Sequence, residues 1–203
     1  MDGFEERFEG YVETLIEAVG HADRAQPLRG YLQGVLLPLE RKSVEPMAAV
    51  LAPERVSAAR QSLTHFVGQA PWRDAALLQA VQAQVLPGML RHGPIHAWIV
   101  DGTGTPKSGK HSVGVERQYC GQLGKTANSQ VAVSLSLAHA VACLPVAWRV
   151  YLPQRWAQDP GRRARAGVPA AVEFQTKPQI ALEQIRQAVC EGLPRGVVLA
   201  DAA

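Results

Sequence analysis

The sequence predicts an α+β or α/β protein in which a helical domain precedes a mixed β-sheet. Apolar side chains recur at the spacing of amphipathic helices throughout residues 1–92. From His96 onward the period changes to the alternation of strands. The charge changes as well, because residues 1–100 contain 9 Lys and Arg against 11 Asp and Glu, whereas residues 101–203 contain 12 against 7. We therefore expect two domains, residues 1–92 and 93–203, and the basic excess of the second indicates either a polyanionic partner or, equally well, a merely uneven surface charge.

The composition excludes several classes of protein. The 203 residues are 47% hydrophobic and 19% charged, as in globular proteins that need no disulfides. Cys120, Cys143 and Cys190 are scattered and form no C-x-x-C pair, which indicates a reducing compartment and argues against a zinc site. No apolar run approaches the length of about 18 residues that a membrane span needs, and the N-terminus is acidic, unlike that of a signal peptide. We expect a cytoplasmic protein with no membrane partner.

Four helices are predicted in the first domain. Glutamates on one side of the first helix lie away from its apolar stripe and are expected to be solvated. Proline suits the first turn of a helix and limits a helix elsewhere, so prolines mark the boundaries of the others. The segment 46–51 is ambiguous. The predicted helices are residues 4–19, Pro27–Leu37, a third that follows Pro53, and a fourth that starts near Pro71 and stops before Pro87.

The second domain opens with the stretch His96 to Lys110, H-A-W-I-V-D-G-T-G-T-P-K-S-G-K. A short apolar run ends in Asp101 and a glycine-rich loop with lysines follows, which predicts a buried strand that ends at this acid. Residues 131–138 and 146–152 then alternate like half-buried strands, and the short link between them favours an antiparallel hairpin. On the second of these strands one face is expected to carry Val146, Trp148, Val150 and Leu152.

The end of the chain repeats the pattern of an apolar strand that ends in an acid. Thr176 and Gln179 have the spacing of a capping box and open a helix, which is followed by an apolar strand ending in Asp201. After a helical crossover the last strand can lie parallel to the first and beside it. Asp101 and Asp201 would then share one sheet edge, where two carboxylates repel each other unless Mg²⁺ or Mn²⁺ binds. The alternative is that each acid caps its strand end in solvent. The apolar stripe of the helix is expected to be Leu182, Ile185 and Val189.

A second interpretation competes for the same glycine-rich loop. Gly104 to Lys110 matches the G-x-x-x-x-G-K of a phosphate-binding P-loop and follows a strand. The next residue, however, is His111, where the motif needs Ser or Thr to reach the metal. Residues 112–124 show no helical stripe, although a P-loop holds its phosphate at a helix N-terminus. A P-loop nucleotide-binding protein is therefore the weaker alternative.

Longer motifs resemble a known family. The block from Val100 to Leu135, V-D-G-T-G-T-P-K-S-G-K-H-S-V-G-V-E-R-Q-Y-C-G-Q-L-G-K-T-A-N-S-Q-V-A-V-S-L, is similar to the start of the catalytic domain of bacterial insertion-sequence transposases. These are DDE enzymes with an RNase H-like core, of the branch named after insertion sequence seven-hundred-and-one. P-L-R-G-Y-L from Pro27 and E-R-K-S-V-E-P-M-A from Glu40 resemble that family's N-terminal helical region, and A-G-V-P from Ala166 and the final V-L-A-D-A-A also fit. The resemblance covers nearly the whole chain.

The resemblance implies a fold and a reaction. The sheet would be an incomplete RNase H-like sheet, and Asp101 and Asp201 would be the first two metal-binding, catalytic carboxylates of a triad. Two ions of Mg²⁺ or Mn²⁺ would activate water or a 3′-hydroxyl and stabilise the leaving oxygen of a DNA phosphodiester. The third carboxylate, a Glu on a later helix, has no counterpart before Ala203. The resemblance therefore implies a truncated, inactive transposase, with a non-catalytic DNA-binding or inhibitory fragment as the alternative.

DNA is the partner that the resemblance implies, both as transposon ends and as target, in a bacterial cytoplasm near the nucleoid; self-association is compatible with it. Basic side chains of the second domain would neutralise backbone phosphates. Taken singly, each of them is more often a plain surface charge. The candidate DNA-binding residues are Lys107, Lys110, Arg117, Lys125, Arg162, Arg163 and Arg165.

Overall fold

The computed structural model describes residues 2–201 and confirms an α+β architecture, in which helices precede a five-stranded mixed sheet. The chain forms two compact units, one ending at Gln84 and the other beginning at Val85. The domain limits expected from the sequence, with a boundary after residue 92, stay a prediction. In the described part of the chain no helix is long and apolar enough to cross a membrane.

The first unit is built from amphipathic helices around two apolar clusters. One cluster is centred on Leu15, Leu28 and Phe66, and the ring of Phe66 stacks on that of Trp72 with 5.8 Å between centroids. The other contains Met47 and Leu63. Short 3-10 turns precede the second and fourth helices. The helices are α1 (Asp2–Val19), α2 (Ala25–Leu36), α3 (Val44–Leu51), α4 (Val56–Gly68) and α5 (Asp74–Arg91), the last of which crosses the boundary between the units.

Two of these helices settle questions that the sequence left open or answered wrongly. The ambiguous segment 46–51 is helical, as part of α3. The prediction that the fourth helix stops before Pro87 is wrong, because α5 continues through this proline to Arg91. A proline inside a helix removes one backbone hydrogen bond, and the turn that follows Pro87 contains Met89, whose side chain is buried. The glutamates of α1 are exposed as predicted, and Arg29 of α2 pairs with Glu9 and Glu13.

The second unit contains the sheet. Strand β1 pairs with β3 in antiparallel fashion and with β5 in parallel fashion, while β2 and β4 both pair with β3 in antiparallel fashion. The strand order is therefore β2-β3-β1-β5, with β4 also beside β3. The predicted hairpin is confirmed as β3 and β4. The strands are β1 (Ala97–Pro106), β2 (Glu116–Cys120), β3 (Lys125–Ala138), β4 (Cys143–Val150) and β5 (Val197–Ala200), and the helices are α6 (Gln154–Ala157), α7 (Pro160–Arg165) and α8 (Lys177–Cys190).

Helix α8 begins as predicted but packs with a different face. Thr176 and Gln179 form a complete capping box at its start. The predicted apolar stripe is wrong in part, because Leu182 and Val189 are about half exposed. The side chains that lie against the sheet include small ones and a glutamine, whose Nε2 donates a hydrogen bond of 3.0 Å to the Val133 carbonyl. The search for an apolar stripe missed this face because two of its residues are alanines and one is a glutamine. The buried residues of α8 are Ile180, Ala181, Gln184 and Ala188.

Strand β4 also departs from the expected alternation. Its register against β3 shifts between Leu135 and Ser136. A bulge of this kind moves the following side chains relative to the two faces of the sheet. Val146 is buried, whereas Trp148 and Val150 are 45% and 44% exposed. The prediction of one common face for these three residues is therefore wrong.

Candidate metal site and nucleic-acid interface

Asp101 lies inside a strand. The prediction that the first strand ends at this acid is wrong, because β1 continues to Pro106. The cause is the length of β3, which supplies hydrogen-bonding partners from Ala138, opposite Ala97, to Ser129, opposite Pro106. Asp101 is opposite Ser134 in this ladder, and its side chain is exposed. The strand thus presents a carboxylate to solvent from its middle.

Strand β5 lies parallel to β1 and ends at Ala200, one residue before Asp201. The parallel register pairs Ala97 with Val197 and continues to Val100 with Ala200. Asp101 and Asp201 are the residues that come directly after this last pair in their two segments. Neighbouring strands lie about 4.8 Å apart. The predicted parallel neighbourhood of the first and last strands is confirmed. We call Asp101 and Asp201, both exposed, the acidic pair.

Close contacts fix β5 along β1 just before the acidic pair. A Cβ atom added to Gly196 would lie 2.8 Å from the backbone nitrogen of Ala97 and 2.8 Å from the carbonyl carbon of His96. Only glycine therefore allows the two backbones to approach this closely. The indole Nε1 of Trp98, which is 3% exposed, donates a hydrogen bond of 2.7 Å to the Pro194 carbonyl. These contacts set the register from which the position of Asp201 follows.

Thr103 is a residue of this site that the sequence analysis missed. Its hydroxyl donates a hydrogen bond of 2.8 Å to Oδ2 of Asp101. The two side chains can meet because residues two apart in a strand point to the same face. The signal was present in the sequence as an acid and a threonine at this spacing, but it was hidden by the expectation that the strand ended at Asp101.

The acidic pair suits a hard cation but supplies few ligands. Carboxylate oxygens are what Mg²⁺ prefers, and Mg²⁺ usually keeps several waters when one or two carboxylates bind it. Within residues 2–201, no group of three or more His, Cys, Asp or Glu side chains is placed to hold a metal ion. The chemistry of the pair therefore fits Mg²⁺ or Mn²⁺ with water in the remaining positions.

The segment 107–115, which we call the basic loop, leaves β1 and leads into β2. The amide of Asn128 donates to the carbonyls of Lys107 and Gly109 at 2.6 and 2.9 Å, and that of Gln130 donates to Val113 at 2.7 Å. Gly114 has φ +73°, and a Cβ atom there would lie 2.5 Å from the Tyr151 carbonyl oxygen. The loop is thus held by β3 and by the end of β4.

The same loop rules out the P-loop alternative. Gly104, the first glycine of the motif, lies within β1 rather than in a loop. The next regular element after the loop is strand β2. A P-loop needs a helix at this point, since the helix N-terminus supplies the backbone donors for phosphate. The interpretation as a P-loop nucleotide-binding protein is therefore wrong.

Helices α6 and α7 complete the surroundings of the basic loop. The Trp156 side chain of α6 is fully buried, and its Nε1 donates a hydrogen bond of 2.8 Å to the Val115 carbonyl. The guanidinium carbon of Arg162 lies 3.8 Å from the centre of the Trp156 ring, and Nη2 donates to the carbonyls of Val115 and Lys110 at 3.0 and 3.3 Å. Arg162 therefore connects α7 to the middle of the loop at Lys110 and to its end at Val115.

Some of the predicted DNA-binding residues come together here and others do not. Lys110, Arg162 and Arg165 line one open cleft of about 380 Å³ together with His111 and Trp156, and we call it the basic cleft. Arg163 instead donates to three backbone carbonyls between Ala157 and Ala170, at 2.8 to 3.3 Å. Arg117 in β2 and Lys125 at the start of β3 are exposed, and Lys107 is half-buried; none of these three lines the cleft. Their role in DNA binding stays a prediction.

Comparison with known proteins agrees with the resemblance seen in the motifs. The family model described as DDE superfamily endonuclease matches residues 14–203. Over 169 residues the chain is 31% identical to the probable transposase for insertion sequence element IS701 from Microchaete diplosiphon. The aligned part covers 83% of this chain and 40% of that relative, so the chain spans less than half of the relative's length.

Proposed function

The chain belongs to the DDE superfamily endonucleases, and on that premise we propose that it carries part of the active centre of a transposase that cleaves and transfers DNA strands. The observation that carries this proposal is the parallel register of β1 and β5, which ends at Val100 and Ala200, one residue before Asp101 and Asp201. The mixed sheet, with its antiparallel hairpin and its parallel last strand, supports an RNase H-like fold for this unit. The 31% identity to a transposase supports the reaction.

Two residues of the site would bind the metal ion, and a third orients one of them. Asp101 and Asp201 would hold Mg²⁺ or Mn²⁺ through carboxylate oxygens. When bound, two such ions activate the attacking oxygen and stabilise the leaving oxygen of a phosphodiester. Thr103 occupies one acceptor site of the Asp101 carboxylate and so fixes its orientation. The substrate of this arrangement would be the DNA of a transposon end and its target.

Two carboxylates and water should bind the metal weakly, and Mn²⁺ makes such binding visible because it broadens nearby NMR signals. We expect Mn²⁺ to broaden the amide signals of residues around Asp101 and Asp201 first. Asp101→Asn and Asp201→Asn should each remove this local effect. Asp23→Asn is the matched control, since the side chain of Asp23 is 90% exposed in the first unit.

A second measurement addresses the reaction itself. Any Mn²⁺-dependent cleavage of transposon-end DNA should fall by roughly 10²–10³ in Asp101→Asn, as is common when an electrostatic stabiliser of the transition state is removed. Broadening that is equally strong in both Asn variants, or that spreads over all exposed acids, would overturn the assignment of the metal site. Cleavage that survives in Asp101→Asn would overturn the proposed reaction.

A further inference from the structure

The basic cleft collects three cationic side chains and a histidine, without an acid among the described residues that line it. Lys110 and His111 come from the basic loop, and Arg162 and Arg165 from α7. Lys110, His111 and Arg165 are exposed, so a ligand can reach them from solvent. Guanidinium and ammonium groups bind phosphate oxygens by charge-assisted hydrogen bonds. The cleft thus has the chemistry of an anion site.

The cleft is organised before any ligand arrives. Arg162 is half-buried, and its contact with Trp156 and its bonds to the loop carbonyls hold the guanidinium in one place. Asp159 caps α7 by accepting a hydrogen bond of 2.8 Å from the backbone nitrogen of Arg162. Both carbonyl bonds of Arg162 use Nη2, so the guanidinium keeps donors for a ligand. Fixed donors lose little freedom on binding, which favours affinity.

The basic cleft and the acidic pair both belong to the second unit. Strands β1, β4 and β5 are parallel to one another, since β1 and β4 are each antiparallel to β3 and β5 is parallel to β1. Their C-terminal ends therefore point in the same direction, although β1 continues for six residues beyond Val100, the last residue that pairs with β5. The basic loop follows β1, helices α6 and α7 follow β4, and Asp201 follows β5. Segments that follow three parallel strands therefore supply both the cleft and Asp201.

We propose that the basic cleft binds a backbone phosphate of DNA away from the cleaved bond. Lys110 and Arg165 would contact the phosphate, and Arg162, which is held in place by Trp156 and the loop, would offer its remaining donors. The inference rests on the proposed function, because it takes DNA as the substrate. It adds a second contact that does not need the metal ion. A backbone contact of this kind positions the DNA without reading its sequence.

The test is DNA binding without divalent metal. Fluorescence anisotropy with a duplex in EDTA, over a series of salt concentrations, compares the unmodified chain with Lys110→Gln and Arg165→Gln. The matched control is Arg186→Gln, which removes an exposed arginine of α8. Each cleft variant should bind roughly tenfold more weakly, as expected for a hydrogen bond between charged groups. The slope of log K against log salt should fall by about 0.9 per lost phosphate contact.

Each outcome separates this inference from the proposed function. If the cleft variants bind as Arg186→Gln does while the unmodified chain binds DNA, the cleft assignment fails and the proposed function stands. If the unmodified chain does not bind DNA, both fail. Competition by ATP or inorganic phosphate beyond the effect of matched ionic strength would assign the cleft to a free phosphate instead. Thermal unfolding midpoints equal to that of the unmodified chain show that the variants are folded.

Discussion

The acidic pair and the basic cleft both lie in the second unit, yet they are built in different ways. The acidic pair depends on the backbone register of β1 and β5, whose last paired residues, Val100 and Ala200, come directly before Asp101 and Asp201. The basic cleft is set by side chains, because Trp156 and Arg162 hold a loop that has no regular structure. A metal site placed by the sheet should therefore resist changes elsewhere, whereas the phosphate site should depend on one buried aromatic ring.

The largest effect should come from removing that ring. Trp156→Ala deletes a fully buried side chain, the bond to Val115 and the stacking surface of Arg162. We expect a loss of about 3–5 kcal/mol in the free energy of unfolding, the usual range for a buried aromatic residue. Urea unfolding measures this loss. Trp148→Ala is the control, since Trp148 is 45% exposed and should cost much less.

The comparison predicts a further result for this variant below its unfolding transition. Trp156→Ala should weaken DNA binding in EDTA and leave the local Mn²⁺ broadening near Asp101 unchanged. If Trp156→Ala lost both DNA binding and the Mn²⁺ broadening near Asp101, the acidic pair would also depend on the cleft.

The reverse experiment targets the register of β5. Gly196→Ala places a methyl group 2.8 Å from the backbone of His96 and Ala97, so β5 must move away from β1. We expect a cost of about 1–3 kcal/mol, as for overpacking, and loss of Mn²⁺ broadening at the acidic pair. Gly102→Ala is the matched control next to Asp101, because a Cβ atom there meets no neighbour within 4 Å. Unchanged Mn²⁺ broadening in Gly196→Ala would show that the register does not set the metal site.

A smaller change tests how Asp101 is oriented. Thr103→Val removes the hydroxyl that donates to Oδ2 of Asp101 while keeping the shape of the side chain. We expect the affinity for Mn²⁺ to fall about tenfold, the lower range for a residue that orients a metal ligand. Titration of the local broadening measures it. Thr103→Ser keeps the hydroxyl and should restore the affinity; equal weakening in both variants would contradict the orienting role.

The smallest effect is expected from an ion pair outside both sites, which sets the baseline for surface charge. Nη1 of Arg149 lies 2.5 Å from Oε2 of Glu183, and this bond, together with one from Gln175, lowers the pKa of Glu183 below its ordinary value of 4.5. A lowered pKa adds stability above the ordinary value, and this stability is lost as the pH falls through the lowered pKa. Glu183→Gln should therefore reduce stability slightly at neutral pH and flatten its acid dependence. Unfolding midpoints between neutral and acidic pH check this, with Glu191→Gln as the control.

Sequence patterns predicted the parts of the fold that depend on local periodicity. The capping box at Thr176, the strand around Val133 and the parallel return to Asp201 all follow from spacing and chain order. The predictions failed where contacts with residues distant in the sequence determine the structure. The length of β1 depends on partners in β3, and the buried face of α8 depends on Gln184 reaching the Val133 carbonyl.

The candidate site shows the same limit. The two acids could be found because each follows an apolar run. The sequence could not show that Arg162 stacks on Trp156 or that Arg163 donates hydrogen bonds to backbone carbonyls. Those contacts depend on where the folded chain places each side chain, and no local spacing predicts them. Sequence alone therefore listed seven basic candidates without separating the three that share a cleft.

The pairing of β1 with β5 also has a kinetic consequence. Val197 pairs with Ala97, at a separation of one hundred residues, whereas the hairpin of β3 and β4 joins residues close in sequence, as Ala138 and Cys143 do. Closing a long loop costs more conformational entropy than closing a short one, and contacts of high sequence separation form slowly. During folding, the hairpin can therefore form early, while the two aspartates meet only when most of the second unit is already in place.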